Sequence, residues 1–208
     1  MSRIAILGAT GRLGAHLVSI AIDEGYEISA LVRHPRKITI ANFNLTVIEG
    51  DAGTGEGLDA ALEGCRHVLC SLRSRKPGIT ACMRNLVQEL KVVKSLERFV
   101  FFSWLGAGDS AEQARGVSEF RSVLTRMTRK KLFRDISQAE GIVRESGLPY
   151  VILRPTRLTD GDPTDSLVAV GPLQAAPGPV SRIDLARFVF RTLDEPGWNG
   201  REVTVGSR

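Results

Sequence analysis

Short apolar runs alternate with longer amphipathic stretches along this chain. That alternation predicts parallel strands covered by helices. Arg3 to Leu7 reads as a first strand and Arg12 to Glu24 as the helix after it. Glu27 to Arg33 and Leu45 to Glu49 read as the second and third strands. A short helix over Gly57 to Leu62 leads into a fourth strand, His67 to Leu72. Ile79 to Leu96 carries Met83, Leu86, Val87, Leu90 and Val93 at three- and four-residue spacing, the apolar stripe of an amphipathic helix. Arg98 to Ser103 is the fifth strand, and its continuous apolar core predicts burial on both faces.

The pattern turns helical again from Val117 to Ser146, with a break expected near Thr128 to Lys131 and Gly147 as the C-terminal cap. Tyr150 to Arg154 is a sixth strand, ended by Pro155. The stretch from Pro155 to Pro179 is rich in Gly, Pro, Asp and Thr and reads as a substrate-side loop or a small hairpin. Ser181 is placed to cap a last helix, Arg182 to Leu193, with Asp184 in its first turn. Glu202 to Val205 is a final strand. No repeat, linker or low-complexity segment interrupts this order. The expected fold is therefore α/β, a doubly wound parallel sheet of the Rossmann type. It forms a single domain over 1–208, with a small substrate-side region near 155–180.

Composition changes this picture little. A chain of 208 residues, 43% hydrophobic and 25% charged, is ordinary for a globular protein. No apolar run approaches the roughly 20 residues needed to cross a bilayer. The opening Met1 to Leu7 reaches a glycine after four apolar residues, too short for a signal-peptide core. A cytoplasmic protein with no membrane partner is expected, as a monomer or homodimer. The cysteines Cys65, Cys70 and Cys82 have no metal-ligand spacing, and Cys70, within Val68-Leu69-Cys70, reads as a buried reduced thiol. His16, His34 and His67 lie far apart, so no metal is expected.

The net charge of +5 is uneven. Residues 115–134 hold Arg115, Arg121, Arg126, Arg129, Lys130, Lys131 and Arg134 against Glu119 alone; the remainder carries 21 basic and 22 acidic residues. With Phe120 and Phe133 as its only aromatics and no glycine-rich pattern, the segment does not read as a nucleic-acid site. A solvated helix face that steers an anionic small molecule is the expectation.

The chemistry begins at Gly8-Ala9-Thr10-Gly11-Arg12-Leu13-Gly14, which follows a strand and opens a helix. Glycines at this spacing allow a sharp turn, a close approach of backbone to a pyrophosphate, and tight helix–sheet packing. The pyrophosphate then meets the free N–H groups at the helix start. An enzyme that uses NAD places Asp or Glu at the end of the second strand for the ribose 2′-hydroxyl. Nineteen residues after Gly14 this chain has Arg33, followed by His34 and Arg36. A guanidinium holds a 2′-phosphate that a carboxylate would repel, so NADP(H) is the expected cofactor, with Arg12 as a second cation. Ligands of this fold lie beyond the carboxyl ends of the strands. That geometry nominates Asp51 for the adenine, and Ser71, Leu72 and Arg73 beside the nicotinamide ribose. It also nominates Ser103 and Trp104 near the reacting ring, and Pro155 and Thr156 at the end of the sixth strand. Trp104 is read either as a wall of an acceptor pocket or as packing.

These residues resemble a known group. The glycine loop, Leu31-Val-Arg33, Gly50-Asp51, Ser146-Gly-Leu-Pro-Tyr150, Leu153-Arg-Pro-Thr-Arg-Leu-Thr159 and Ser181-Arg-Ile-Asp-Leu-Ala186 are similar to atypical short-chain dehydrogenases. Among these, the NmrA-like and flavin reductase (biliverdin-IXβ reductase-like) branch is the nearest in pattern. The resemblance runs from Ile4 to about Val205 and implies NADPH binding, with Gly8, Thr10, Gly11, Arg12, Gly14 and Arg33 at matching positions. It also implies a serine near the nicotinamide, matched by Ser103. Standard members carry Tyr-x-x-x-Lys on the helix after the fifth strand. Here the tyrosines are Tyr26 and Tyr150, and neither lies on that helix. Without that proton donor, hydride transfer to a flat conjugated acceptor such as a flavin or quinone is the expected reaction, since it needs ring stacking more than a protein acid. Ser103 is then an orienting hydroxyl, with no histidine placed to activate it as a nucleophile. The alternative is a non-catalytic, redox-sensing regulator that binds NADP(H).

Overall fold

Alternation at period two divides each inner strand between two hydrophobic layers. Ile4 and Ile6 face one layer while Ala5 and Leu7 face the other; Val100 and Phe102 oppose Phe99 and Phe101 in the same way. A strand buried on both faces must lie inside a sheet covered by helices, and that is the architecture of the computed structural model. It describes residues 2–73, 78–110, 130–171, 174–175 and 177–208. The strands β1 (Arg3–Leu7), β2 (Glu27–Val32), β3 (Leu45–Glu49), β4 (His67–Cys70), β5 (Arg98–Phe102) and β6 (Tyr150–Pro155) are joined by β8 (Leu167–Val170) and β10 (Arg201–Ser207). Their order is β3-β2-β1-β4-β5-β6-β10-β8, all parallel except the edge strand β8.

Helices α1 (Arg12–Asp23) and α5 (Arg182–Thr192) cover one face; α2 (Leu58–Leu62), α3 (Ile79–Leu90) and α4 (Lys130–Arg144) cover the other. The strand order reverses between β1 and β4, which opens a crevice at their carboxyl ends. This is a Rossmann-like fold. Among the described residues no helix is long and apolar enough to cross a membrane.

Several boundaries differ from expectation for local reasons. Helix α3 ends at Leu90 instead of Leu96. Beyond it, Val92, Val93 and Leu96 donate to carbonyls three residues back, so tightened turns keep the apolar spacing after the helix has stopped. Pro155 is the last residue of β6, opposite Val205, and β10 extends past the expected ends on both sides. Among the described residues the region from Pro155 to Pro179 forms no hairpin: β7 (Leu158–Thr159) pairs parallel with β9 (Val180–Ser181), while β8 pairs with β10. Ser181 caps α5, accepting from the Asp184 backbone N–H at 3.1 Å.

The expected helix from Val117 falls outside the described residues up to position 129. From Lys130 on it is helical, and Gly147 adopts φ +74° just beyond its end. Of the basic segment, Lys130, Lys131 and Arg134 are described, and all three are exposed. Cys65, Cys70 and Cys82 are free thiols, and burial pushes the Cys70 thiol up to about 12.

Candidate active site

Gly8, at φ +92°, turns the chain out of β1, and the Gly11 N–H donates back to its carbonyl at 2.9 Å. Gly11 is the N-cap of α1, yet it has no side chain to cap with, and no acid occupies the first turn. The first N–H groups and the positive end of α1 therefore remain available to an anion. A Cβ on Gly14 would fall on the Gly8 carbonyl oxygen. A Cβ on Gly11 meets only that oxygen, at 3.1 Å, and otherwise points into open space. The three glycines thus do different work: Gly8 turns, Gly14 packs, and Gly11 leaves room.

A cleft of about 920 Å³ extends from this loop along the strand ends. It brings together the nominated glycine-loop residues, Arg33, Asp51, Ser71 to Arg73, Ser103, Trp104, Pro155 and Thr156. At the end of β2, Arg33 is exposed and lines the cleft with His34 and Lys37; Arg36 is not among the lining residues. Arg12 lines the same cleft, and its guanidinium bonds Asp160 at 2.6 Å. Asp51 accepts the Gly53 N–H at 2.8 Å. Ser71 donates its hydroxyl to the Leu7 carbonyl at 3.2 Å, tying β4 to β1 beneath the glycine loop. Thr156 donates to the Gly178 carbonyl at 2.6 Å.

Arg33 leads to a quantitative expectation. A hydrogen bond to a charged group is worth about 1.5–3 kcal/mol, so Arg33→Ala should weaken NADPH binding roughly 10- to 150-fold. NADH, which lacks the 2′-phosphate, should be little affected, and titration calorimetry should show the two affinities converging. Equal weakening of both would remove Arg33 from the 2′-phosphate.

At the other end of the cleft the structure adds residues that the sequence reading missed. Ser103 donates its hydroxyl proton to Glu140 Oε1, and Glu140 is fully buried on α4. The Arg154 guanidinium grips both Glu140 oxygens at 2.9 Å and reaches Glu202 at 2.6 Å; Glu202 also takes Arg144 at 2.6 Å. Burial opposes charge on Arg154, but the carboxylates of Glu140 and Glu202 outweigh it and hold its pKa above the ordinary range. Burial likewise acts against an ionised Glu202, and the two arginines overcome it and lower its pKa.

A sequence signal for this pair does exist. Arg154 interrupts an apolar strand, and Glu140 shares an apolar helix face with Ile136 and Val143. Beside Ser103, Trp104 is 42% exposed and leans on Phe133, with ring centroids 6.2 Å apart. It therefore packs on one side and lines the cleft on the other.

The chain is similar to the photosystem II assembly factor Ycf39 of Cyanophora paradoxa, 28% identical over 222 residues that take in 99% of this chain. It spans 64% of the length of that curated relative. Among solved structures, ChuY of Escherichia coli O157:H7, described as an anaerobillin reductase, shares the fold with a TM-score of 0.85 at 23% identity, over 99% of this chain and 97% of that one. A short-chain dehydrogenase/reductase of Veillonella parvula DSM 2008, solved in complex with NADP, gives a TM-score of 0.82 at 22% identity, over 99% and 94%. The uncapped start of α1 and the open space at Gly11 fit the diphosphate of such a cofactor. A family model described as NAD(P)H-binding matches residues 8–196, and the chain belongs to that NAD(P)H-binding family.

Proposed function

We propose that the protein is an NADPH-dependent oxidoreductase that reduces a flat, conjugated small-molecule acceptor such as a flavin or quinone. The carrying observation is the state of Ser103. A hydroxyl has one proton, and that of Ser103 is committed to the buried Glu140 carboxylate. Its lone pairs are then left to accept, which suits orienting an amide or a ring and not protonating a ketone. Neither tyrosine lines the cleft: Tyr26 packs on His67 and Phe190, and Tyr150 opens β6. The partly exposed ring of Trp104 supplies a flat apolar wall beside Ser103. NADPH bound here supplies the hydride, and the acceptor takes its proton from solvent. The residues of the chain hold the two rings in register and need do no acid–base chemistry.

The test is NADPH oxidation, followed by absorbance, with FMN, a quinone or dichlorophenolindophenol as acceptor. With the best acceptor, Ser103→Ala should lower the rate about tenfold, equivalent to about 1.4 kcal/mol. A loss beyond about a thousandfold would mean that Ser103 donates a proton or forms a bond, against this reading. Failure to turn over any acceptor while NADPH still binds favours a second reading, a non-catalytic NADP(H)-binding regulator. The similarity to Ycf39, by name an assembly factor, supports that alternative.

A further inference from the structure

The segment after β6 brings a second arginine to the start of α1. Strand β7 pairs with β9 so that Thr159 lies opposite Ser181, and the next residue on each side, Asp160 and Arg182, then meet. Asp160 bonds Arg182 at 2.5 Å through one carboxylate oxygen and Arg12 at 2.6 Å through the other. The members of this bridge differ in burial. The side chains of Arg12 and Asp160 are 62% and 55% exposed, whereas that of Arg182 is 6% exposed. Arg182 lines the cleft, and its buried Nε has no hydrogen-bond partner among the described residues. One carboxylate is thus shared by two guanidiniums, and a net positive charge remains next to the uncapped end of α1.

A buried guanidinium with an unused donor and half a counter-charge is costly unless an anion completes it. We propose that Arg182 is a second clamp for the dinucleotide's pyrophosphate. The α1 N–H groups hold the diphosphate from the glycine loop, and Arg182 holds it from the start of the neighbouring helix α5. Asp160 competes with the diphosphate for Arg12 and Arg182, so the bridge tunes cofactor affinity. This role concerns the part common to NADPH and NADH. It stands whether or not the protein turns over an acceptor.

The test separates Arg182 from Arg33. Titration calorimetry on Arg182→Gln should show NADPH and NADH both weakened by about tenfold or more, with their ratio kept. Adenosine 2′-monophosphate, which has no diphosphate, should bind as to the wild type. Asp160→Asn leaves both arginines in place and removes the competing charge, so it should tighten both dinucleotides several-fold. It also keeps the question open to experiment if Arg182→Gln does not fold. Unchanged dinucleotide affinity in Arg182→Gln, a loss confined to NADPH, or an equal loss for adenosine 2′-monophosphate overturns the assignment. So does unchanged or weaker dinucleotide binding by Asp160→Asn.

Discussion

Gly11→Val is expected to abolish dinucleotide binding in a protein that still folds. The Cβ position at Gly11 meets one carbonyl oxygen at 3.1 Å and is otherwise open, so the loop accommodates a side chain with a small shift. The volume that valine fills lies at the uncapped start of α1, where a pyrophosphate must approach the backbone. Titration with NADPH should then give no measurable heat of binding, while the thermal midpoint stays near that of the wild type. Gly14→Ala makes the contrast. Its Cβ would coincide with the Gly8 carbonyl, so the helix must move off the sheet and the melting temperature should fall with binding. Retained affinity in Gly11→Val would place the diphosphate somewhere other than the glycine loop.

Glu140→Ala should be among the most destabilising single substitutions in the chain. It leaves the Arg154 guanidinium, 1% exposed, with Glu202 as its remaining carboxylate partner. Breaking a buried ion pair by removing one partner costs about 3–5 kcal/mol. For a chain of this size each kcal/mol lowers the melting temperature by about 2–4 °C, so a drop of roughly 10 °C is expected in a thermal melt. The double variant Glu140→Ala, Arg154→Met removes the orphaned charge and should recover part of that loss. A cost below about 1 kcal/mol for Glu140→Ala would be the value of a solvated pair, and the buried network would then not be what holds α4 against β6. Glu140→Ala also frees the Ser103 hydroxyl, so any activity it retains shows whether Ser103 works without its partner.

The fold was legible because its signals are local. Ile4 and Ile6 against Ala5 and Leu7 declare a strand covered on both faces, and Met83, Leu86, Val87 and Leu90 declare one buried helix face. The dinucleotide loop was legible for the same reason, since its chemistry is backbone geometry set by Gly8, Gly11 and Gly14 within one turn. Arg33 needed one further step, a count along a known connection to the end of β2. The apolar spacing runs past the end of α3 because three-residue turns after Leu90 keep Val93 and Leu96 on the apolar face.

By itself, then, the sequence determined the alternation of strands and helices that makes a doubly wound sheet and the loop that meets a dinucleotide. Each of these follows from residues close together in the chain. Tertiary structure alone decided where the charges went. The pairing of β7 with β9 carries Asp160 to Arg12 across 148 residues, with Arg182 on the carboxylate's other oxygen. Ser103 had no visible partner in sequence, and the packing of α4 brought Glu140 to it from 37 residues away, with Arg154 fixing the carboxylate. Hydrophobic period records which face of an element is buried. It does not record which distant ions meet there, because their pairing is set by strand register and helix packing, long-range contacts that no local pattern carries.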